Sequence, residues 1–291
     1  MKLASFRAGG QSGFGVVAGE GVVDAKRRLG VPDLRAALGD LPRLRALASE
    51  APDHKLADVE LLPVIPNPGK ILCVGVNYMS HLKETGREPP AFPMIFARFA
   101  GSQVGAGQPM LRPPESEKFD FEGELAVVIG RTASRVAKEQ AFDYVAGYSC
   151  YNDGSIRDWQ RHTVQFTPGK NFRATGAFGP WMVTADELTD PAAQTLTTRL
   201  NGEVVQHASI SDLVFDIPAL VHYCSTFIDL EPGDVIVTGT TGGVGAYREP
   251  PLWMKNGDTV EVEISGIGTL TNPVRDEQVQ GGVAAARAAA E

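Results

Sequence analysis

Asp120-Phe121-Glu122-Gly123-Glu124-Leu125-Ala126-Val127-Val128-Ile129 sets three acidic residues directly ahead of an apolar run. The run from Leu125 is short, ends in three β-branched residues and has a glycine two positions ahead of it, which predicts a buried strand. Comparable runs recur at 71–76, 179–183, 196–200, 234–238 and 259–264, bounded by Gly, Pro, Asn or Asp. Asn201-Gly202, between Leu196–Leu200 and Glu203–Gln206, carries the residues that a type I′ hairpin turn requires. Helical patterns are fewer, chiefly 138–144 and 217–227. Strands in succession with few helices between them predict an α+β, β-rich fold and not an alternating βαβ one.

Composition narrows the rest. The 291 residues are 43% hydrophobic and 21% charged, enough apolar material for a sizeable core and too little charge for disorder. The formal net charge of -8 gives no electrostatic case for nucleic acid or an anionic membrane as partner. The start, Met1-Lys2-Leu3-Ala4-Ser5-Phe6-Arg7, has no apolar core of a signal sequence, and no apolar run reaches the roughly 18 residues of a membrane span. A soluble, cytoplasmic protein is the expectation. Cys73, Cys150 and Cys224 are far apart, without a CxxC, and read as buried small hydrophobes.

Along the chain, residues 1–62 read as a small N-terminal domain with short strands at 13–18 and 21–24. Leu34, Leu38, Leu41, Leu44 and Leu47 then form a helical face broken at Pro42. Pro63-Val64-Ile65-Pro66-Asn67-Pro68-Gly69 is a linker. Residues 63–280 form the main domain, and 281–291 a frayed tail of Gly and Ala.

Four constellations carry chemistry. On a strand, Glu122 and Glu124 point to one face, and two carboxylates beside an apolar run invite a hard cation. The simpler reading is the polar face of an edge strand. Asn152-Asp153-Gly154-Ser155-Ile156-Arg157-Asp158-Trp159-Gln160, if helical, puts Asp153, Arg157 and Gln160 on one stripe, or else holds an ordinary exposed ion pair. His81 and Glu84 stand one helical turn apart, so Glu84 can orient the imidazole as a general base, although surface pairs with this spacing are common. Residues 85–93, with one glycine and three prolines, read as a loop able to close over a site. Lys170 follows a Pro-Gly turn, and Thr238-Gly239-Thr240-Thr241-Gly242-Gly243-Val244-Gly245 lacks the ending of a phosphate loop, so it reads as backbone approaching a ligand closely. His54, His162, His207 and His222 have no metal-ligand spacing.

Together these segments resemble the fumarylacetoacetate hydrolase family over roughly residues 63–275. The resemblance rests on Gly75-Val76-Asn77-Tyr78 with His81 and Glu84, Asp120 to Leu125, Ala146-Gly147-Tyr148 leading to Asn152-Asp153 with Arg157, Gly169-Lys170 followed by Gly179-Pro180-Trp181, Asn201-Gly202-Glu203, and Leu230 to Thr240. Thr241 stands where a proline is usual, and Asn171-Phe172-Arg173 where an acidic residue often follows the lysine.

The resemblance implies that family's mixed β-sandwich roll with a small N-terminal domain, usually as a homodimer. It implies Glu122, Glu124 and Asp153 as ligands of Mg²⁺, Mn²⁺ or Ca²⁺, an all-oxygen set that suits a hard cation. Tyr78, Lys170 and Thr240 would contact a small-molecule keto acid. The expected reaction is hydrolytic cleavage of a C–C bond in a 2,4-diketo acid with release of pyruvate or a related acid, as in aromatic or sugar-acid catabolism. His81, oriented by Glu84, would activate water, while Arg157, Gln160 and Lys170 stabilise the oxyanion. Decarboxylation of an oxaloacetate-type acid and isomerisation or hydration of a 2-oxo acid are the alternatives, followed by a non-catalytic binding module. Arg87, Arg98, Arg173 and Arg248 are candidates to pair with a second substrate carboxylate, and Phe92, Phe172, Tyr247 and Trp253 to line an apolar pocket.

Overall fold

The strand Gly123–Ile129 lies inside a 12-stranded mixed sheet, antiparallel to Val145–Asn152 on one side and to Val235–Thr240 on the other. The computed structural model describes residues 1–278, so the tail at 281–291 lies outside the described residues. Alternation along this strand separates two cores. Leu125, Val127 and Ile129 pack with Leu196, Val262 and Leu270, whereas Ala126 and Val128 pack with Phe14, Leu34, Leu44, Phe178 and Val237. The first set faces a five-stranded sheet of Glu203–Ser209, Thr195–Leu200, Thr259–Ile264, Gly268–Asp276 and Met110–Arg112. The second lies against the N-terminal elements. The fold is α+β and β-rich, as the sequence predicts.

The N-terminal residues extend the main sheet. Lys2–Ala8 pairs with Gly176–Thr184 on one side and with Gln11–Ala18 on the other, so residues 1–62 share a sheet and a core with the chain after the linker. Pro42 opens a helix, Leu41–Ala46, capped by Asp40, whose side chain accepts from Arg43 N. Leu34, Leu38, Leu44 and Leu47 are buried. The Asn201-Gly202 turn has φ 53° and 83°, the left-handed pair of a type I′ hairpin.

Ile217–Phe227 forms an 11-residue helix, while Lys138–Tyr144 winds as a 3₁₀ helix. All three cysteines are buried and free, and burial pushes the Cys150 and Cys224 thiols up to about 12. No helix among the described residues is long and apolar enough to cross a membrane.

Candidate active site

Three segments converge where the 123–129 and 235–240 strands meet. Glu122, Glu124 and Asp153 are all buried, and each offers a carboxylate oxygen within 4.8 Å of the others. Gly123, between the two glutamates, lets the five-stranded sheet approach the site, since a Cβ there would stand 2.0 Å from Thr198 Oγ1. Asp153 is not on a helix with Arg157, because Ser155–Ile156 pairs as a strand with Phe119–Asp120 and the short helix Arg157–Gln160 begins only afterwards. The expected stripe of Asp153, Arg157 and Gln160 therefore does not form. Asp153 instead meets Arg98 at 2.5 Å and Lys170 at 2.6 Å.

Each carboxylate has its own environment. Burial opposes ionisation of Glu122, but the charges of Arg157 and Lys170 more than offset it and hold the group down at about 2. Glu124 goes the other way. Burial, with Asp153 and Glu122 alongside, pushes it well above the usual carboxylate range, and its one hydrogen-bond donor among the described residues is Gly239 N. The cluster is short of positive charge at Glu124, and three converging hard oxygens fit a divalent cation. A neutral donor set or an open fan of carboxylates would not.

Lys170, expected at the oxyanion, bridges two carboxylates of the triad, with Nζ 2.5 Å from Glu122 Oε2 and 2.6 Å from Asp153 Oδ2. It reaches them because Gly169 packs against the backbone of Gln160, where a Cβ would lie 2.3 Å from Gln160 N. Arg157 donates through Nε to Asp120 and through Nη1 to Gln160 Oε1, and its Nη2 is 2.6 Å from Glu122.

His81 and Glu84 sit on the helix Met79–Thr85, which Gly86 terminates at φ 66°. His81 Nδ1 lies 2.8 Å from Glu84 Oε2, and Glu84 Oε1 accepts from Gly243 N at 2.9 Å. With Nδ1–H donating to Glu84, Nε2 is the basic nitrogen. The glycine-rich loop is thus held by carboxylates, for Gly245 N and Ala246 N both donate to Asp120.

A cavity of about 100 Å³ is lined by His81, Glu122, Glu124, Arg157, Gln160, Lys170 and Thr240, together with Arg87, Arg161, Phe96 and Tyr247. The Thr240 hydroxyl donates to Gly123 O and accepts from Gln206. Tyr78 is fully buried behind the helix it precedes and does not line the cavity. Of the four arginines considered for a second carboxylate, Arg87 alone faces the cavity. Arg98 is buried on Asp153, Arg173 pairs at the surface with Glu277, and Arg248 bonds Gly243 O and Val205 O.

Phe92 is exposed and stacks on Tyr223, and Phe172 packs on Trp159, so of the four aromatics only Tyr247 lines the cavity. At the two departures, Thr241 O accepts from Gln206, and the Asn171 side chain ties Ala97 O and Thr167 O together. Sequence reading missed the anchoring role of Arg98, the two-sided role of Asp120, and Arg161. Nothing local marks them, since their partners are remote in the chain or in the cavity.

A buried carboxylate triad beside a histidine–carboxylate pair, on one end of a mixed sheet, defines an enzyme-type site suited to a divalent cation. The sequence profile described as fumarylacetoacetate (FAA) hydrolase C-terminal matches residues 70–275, and the chain belongs to the fumarylacetoacetate hydrolase family. It is 42% identical over 220 residues to the mitochondrial oxaloacetate tautomerase fahd2 of Xenopus laevis, covering 75% of this chain and 69% of that one. It is 40% identical over 225 residues to the oxaloacetate tautomerase YisK of Bacillus subtilis (strain 168), covering 76% and 75%. Among solved structures, maleylpyruvate hydrolase from Sphingobium sp. SYK-6, in complex with manganese(II) ion and pyruvate, superposes with a TM-score of 0.81 at 31% identity, covering 96% of this chain and all of that one.

Proposed function

We propose that this protein is a divalent-cation-dependent enzyme of small 2-oxo acids that interconverts the keto and enol forms of an oxaloacetate-like substrate. The observation that carries the reading is one cavity lined by Glu122 and Glu124 of the acidic triad and by His81, whose Nδ1 is held from outside that lining by Glu84. Identities of 40–42% to oxaloacetate tautomerases support this choice within the family.

Glu122, Glu124 and Asp153 would hold the cation, Mg²⁺ or Mn²⁺. When bound it supplies Lewis-acid polarisation of the substrate's carboxylate and 2-oxo oxygens. His81 Nε2 takes the proton from the carbon next to the ketone, and Glu84 supports the imidazolium that results. Arg157 and Lys170 supply positive charge toward the oxygen on which negative charge develops. The net change is one proton moved from carbon to oxygen.

Hydrolysis of a 2,4-diketo acid is the second reading, favoured by the same His81–Glu84 pair, which can equally deprotonate water. The test is an Mn²⁺-supplemented assay with enolic oxaloacetate and, separately, acetylpyruvate, following enol absorbance and pyruvate release, with His81→Asn alongside. Loss of oxaloacetate enol without pyruvate, slowed about 100-fold or more in the variant, is the expected result. Pyruvate from acetylpyruvate would move the assignment to hydrolase, and pyruvate from oxaloacetate to decarboxylase.

A further inference from the structure

Four α-helices among the described residues open on an aspartate that accepts from its own first turn. They are Ala25–Leu29 after Asp24, Leu34–Ala37 after Asp33, Leu41–Ala46 after Asp40, and Ile217–Phe227 after Asp216. The Met79–Thr85 helix does not, because Tyr78 stands at its N-cap and makes no capping hydrogen bond. The acceptor comes instead from 132 positions away, where Asp212 Oδ2 lies 3.1 Å from Ser80 N. Among the described residues Ser80 N is the one hydrogen-bond donor to the Asp212 carboxylate.

Asp212 lies in the connection between the Glu203–Ser209 strand and the Ile217–Phe227 helix, and the residues after it clasp the chain just ahead of Met79. Val214 N donates to Asn77 O, Phe215 N to Asn77 Oδ1, and Asn77 Nδ2 to Phe215 O and Thr238 O. Past Asn77, the first turn is met by Asp212 at Ser80 N and by Gly242 N at Ser80 Oγ, 3.3 Å away, and only the first contact satisfies an open helix amide. His81 stands in that turn, one residue after Ser80. The far end of the helix is held separately, by Glu84 on Gly243 N. Neither Asp212 nor Ser80 lines the cavity or belongs to the acidic triad.

We infer that Asp212 is a positioning residue for His81, capping its helix from a remote segment and so setting the direction of the imidazole without facing the cavity. This rests on the reading of His81 as the base. A first turn without its cap frays, and a base displaced by a fraction of its reach loses much of its effect. The triad is mounted on other segments, so its hold on a cation does not depend on Asp212.

Asp212→Ala removes the acceptor, and Asp212→Asn returns a carbonyl oxygen to the same place. The imidazole Cε1–H signals report on the rings by NMR, since the chain has five histidines and His81→Asn identifies the signal of His81. In metal-free Asp212→Ala the His81 signal is expected to shift while those of His54 and His162 stay, and Asp212→Asn should restore it. With enolic oxaloacetate in Mn²⁺ buffer, Asp212→Ala should lower kcat at least about tenfold with KM within threefold, and Asp212→Asn should recover to within threefold of wild type. The Mn²⁺ Kd should stay within twofold in both variants. An unmoved His81 signal, an unchanged kcat, no recovery in Asp212→Asn, or a loss that extends to Mn²⁺ binding and to His54 and His162 would each overturn the assignment. A wild-type protein that turns over no oxaloacetate, with the His81 shift and its rescue intact, overturns the tautomerase reading alone.

Discussion

Arg98 Nη1 lies 2.5 Å from Asp153 Oδ1 with neither side chain exposed to solvent. The same guanidinium donates to Gly154 O and Thr175 Oγ1, so it fixes the backbone on which Asp153 is mounted as well as one of its oxygens. Asp153 Oδ2 is left for Lys170 and the acidic cluster. Arg98 is thus a positioning residue, acting on the site through Asp153.

Truncating Arg98 leaves a buried carboxylate with Lys170 as its remaining cation. Breaking one side of such a pair costs on the order of 3–5 kcal/mol, and the second cation places Arg98→Met at about 3 kcal/mol. Urea unfolding of the metal-free protein measures it. A loss under about 1 kcal/mol would mean that Asp153 is adequately held without Arg98.

Glu124 has the least compensated charge of the triad, raised by burial and by Asp153 and Glu122. A cation that binds only the folded protein stabilises it, by about 2.7 kcal/mol at 100-fold excess over Kd. Mn²⁺ is therefore expected to raise the wild-type melting temperature, and EDTA to reverse the rise. Glu124→Gln should abolish the rise while leaving the metal-free melting temperature unchanged or higher. A full Mn²⁺ shift in the variant would remove Glu124 from the ligand set.

These two residues also mark what the sequence discloses. Glu124 is legible because its chemistry is local, two acids and a glycine against an apolar strand, and His81 with Glu84 is legible for the same reason at helical spacing. Arg98 is not, because its partner lies 55 positions away and only the folded sheet brings them together. The Asp153–Arg157 stripe misleads because it assumes a helix where the backbone of 155–156 pairs with 119–120. The pairing of Lys2 with Val183 is equally remote, so residues 1–62 look separate in sequence while extending the main sheet in space.

Acid should loosen the N-terminal region through Asp53. Its hydrogen bond from Arg28 outweighs partial burial and holds the carboxyl below its usual value, and the same group accepts from Asp24 N. A depressed folded-state pKa gives stability that is present above the unfolded value of about 3.9 and lost as pH falls through the folded one. Asp53→Asn is expected to lower the urea midpoint at pH 7 and to have a smaller effect near pH 3. Partial exposure limits the loss of the ion pair to about 1 kcal/mol or less. An equal loss at both pH values would assign the effect to the Asp24 amide contact.

Glu84 has two jobs that substitution can separate. One oxygen meets His81 Nδ1, and the other accepts from Gly243 N, which ties the Met79–Thr85 helix to the glycine-rich loop. Glu84→Gln keeps a carbonyl acceptor for one contact but removes the negative charge beside the imidazole. Glu84→Ala removes both. If the carboxylate supports the charged state of His81 during proton transfer, Glu84→Gln should lower kcat at least about tenfold with KM within threefold and little change in melting temperature. Glu84→Ala should show the same loss of kcat and, in addition, a lower melting temperature from the freed loop. Steady-state kinetics on the substrate identified by the enol assay, with melting curves of all three proteins, distinguishes the roles. A Glu84→Gln enzyme with wild-type kcat would reduce Glu84 to a structural tether and leave His81 to act without it.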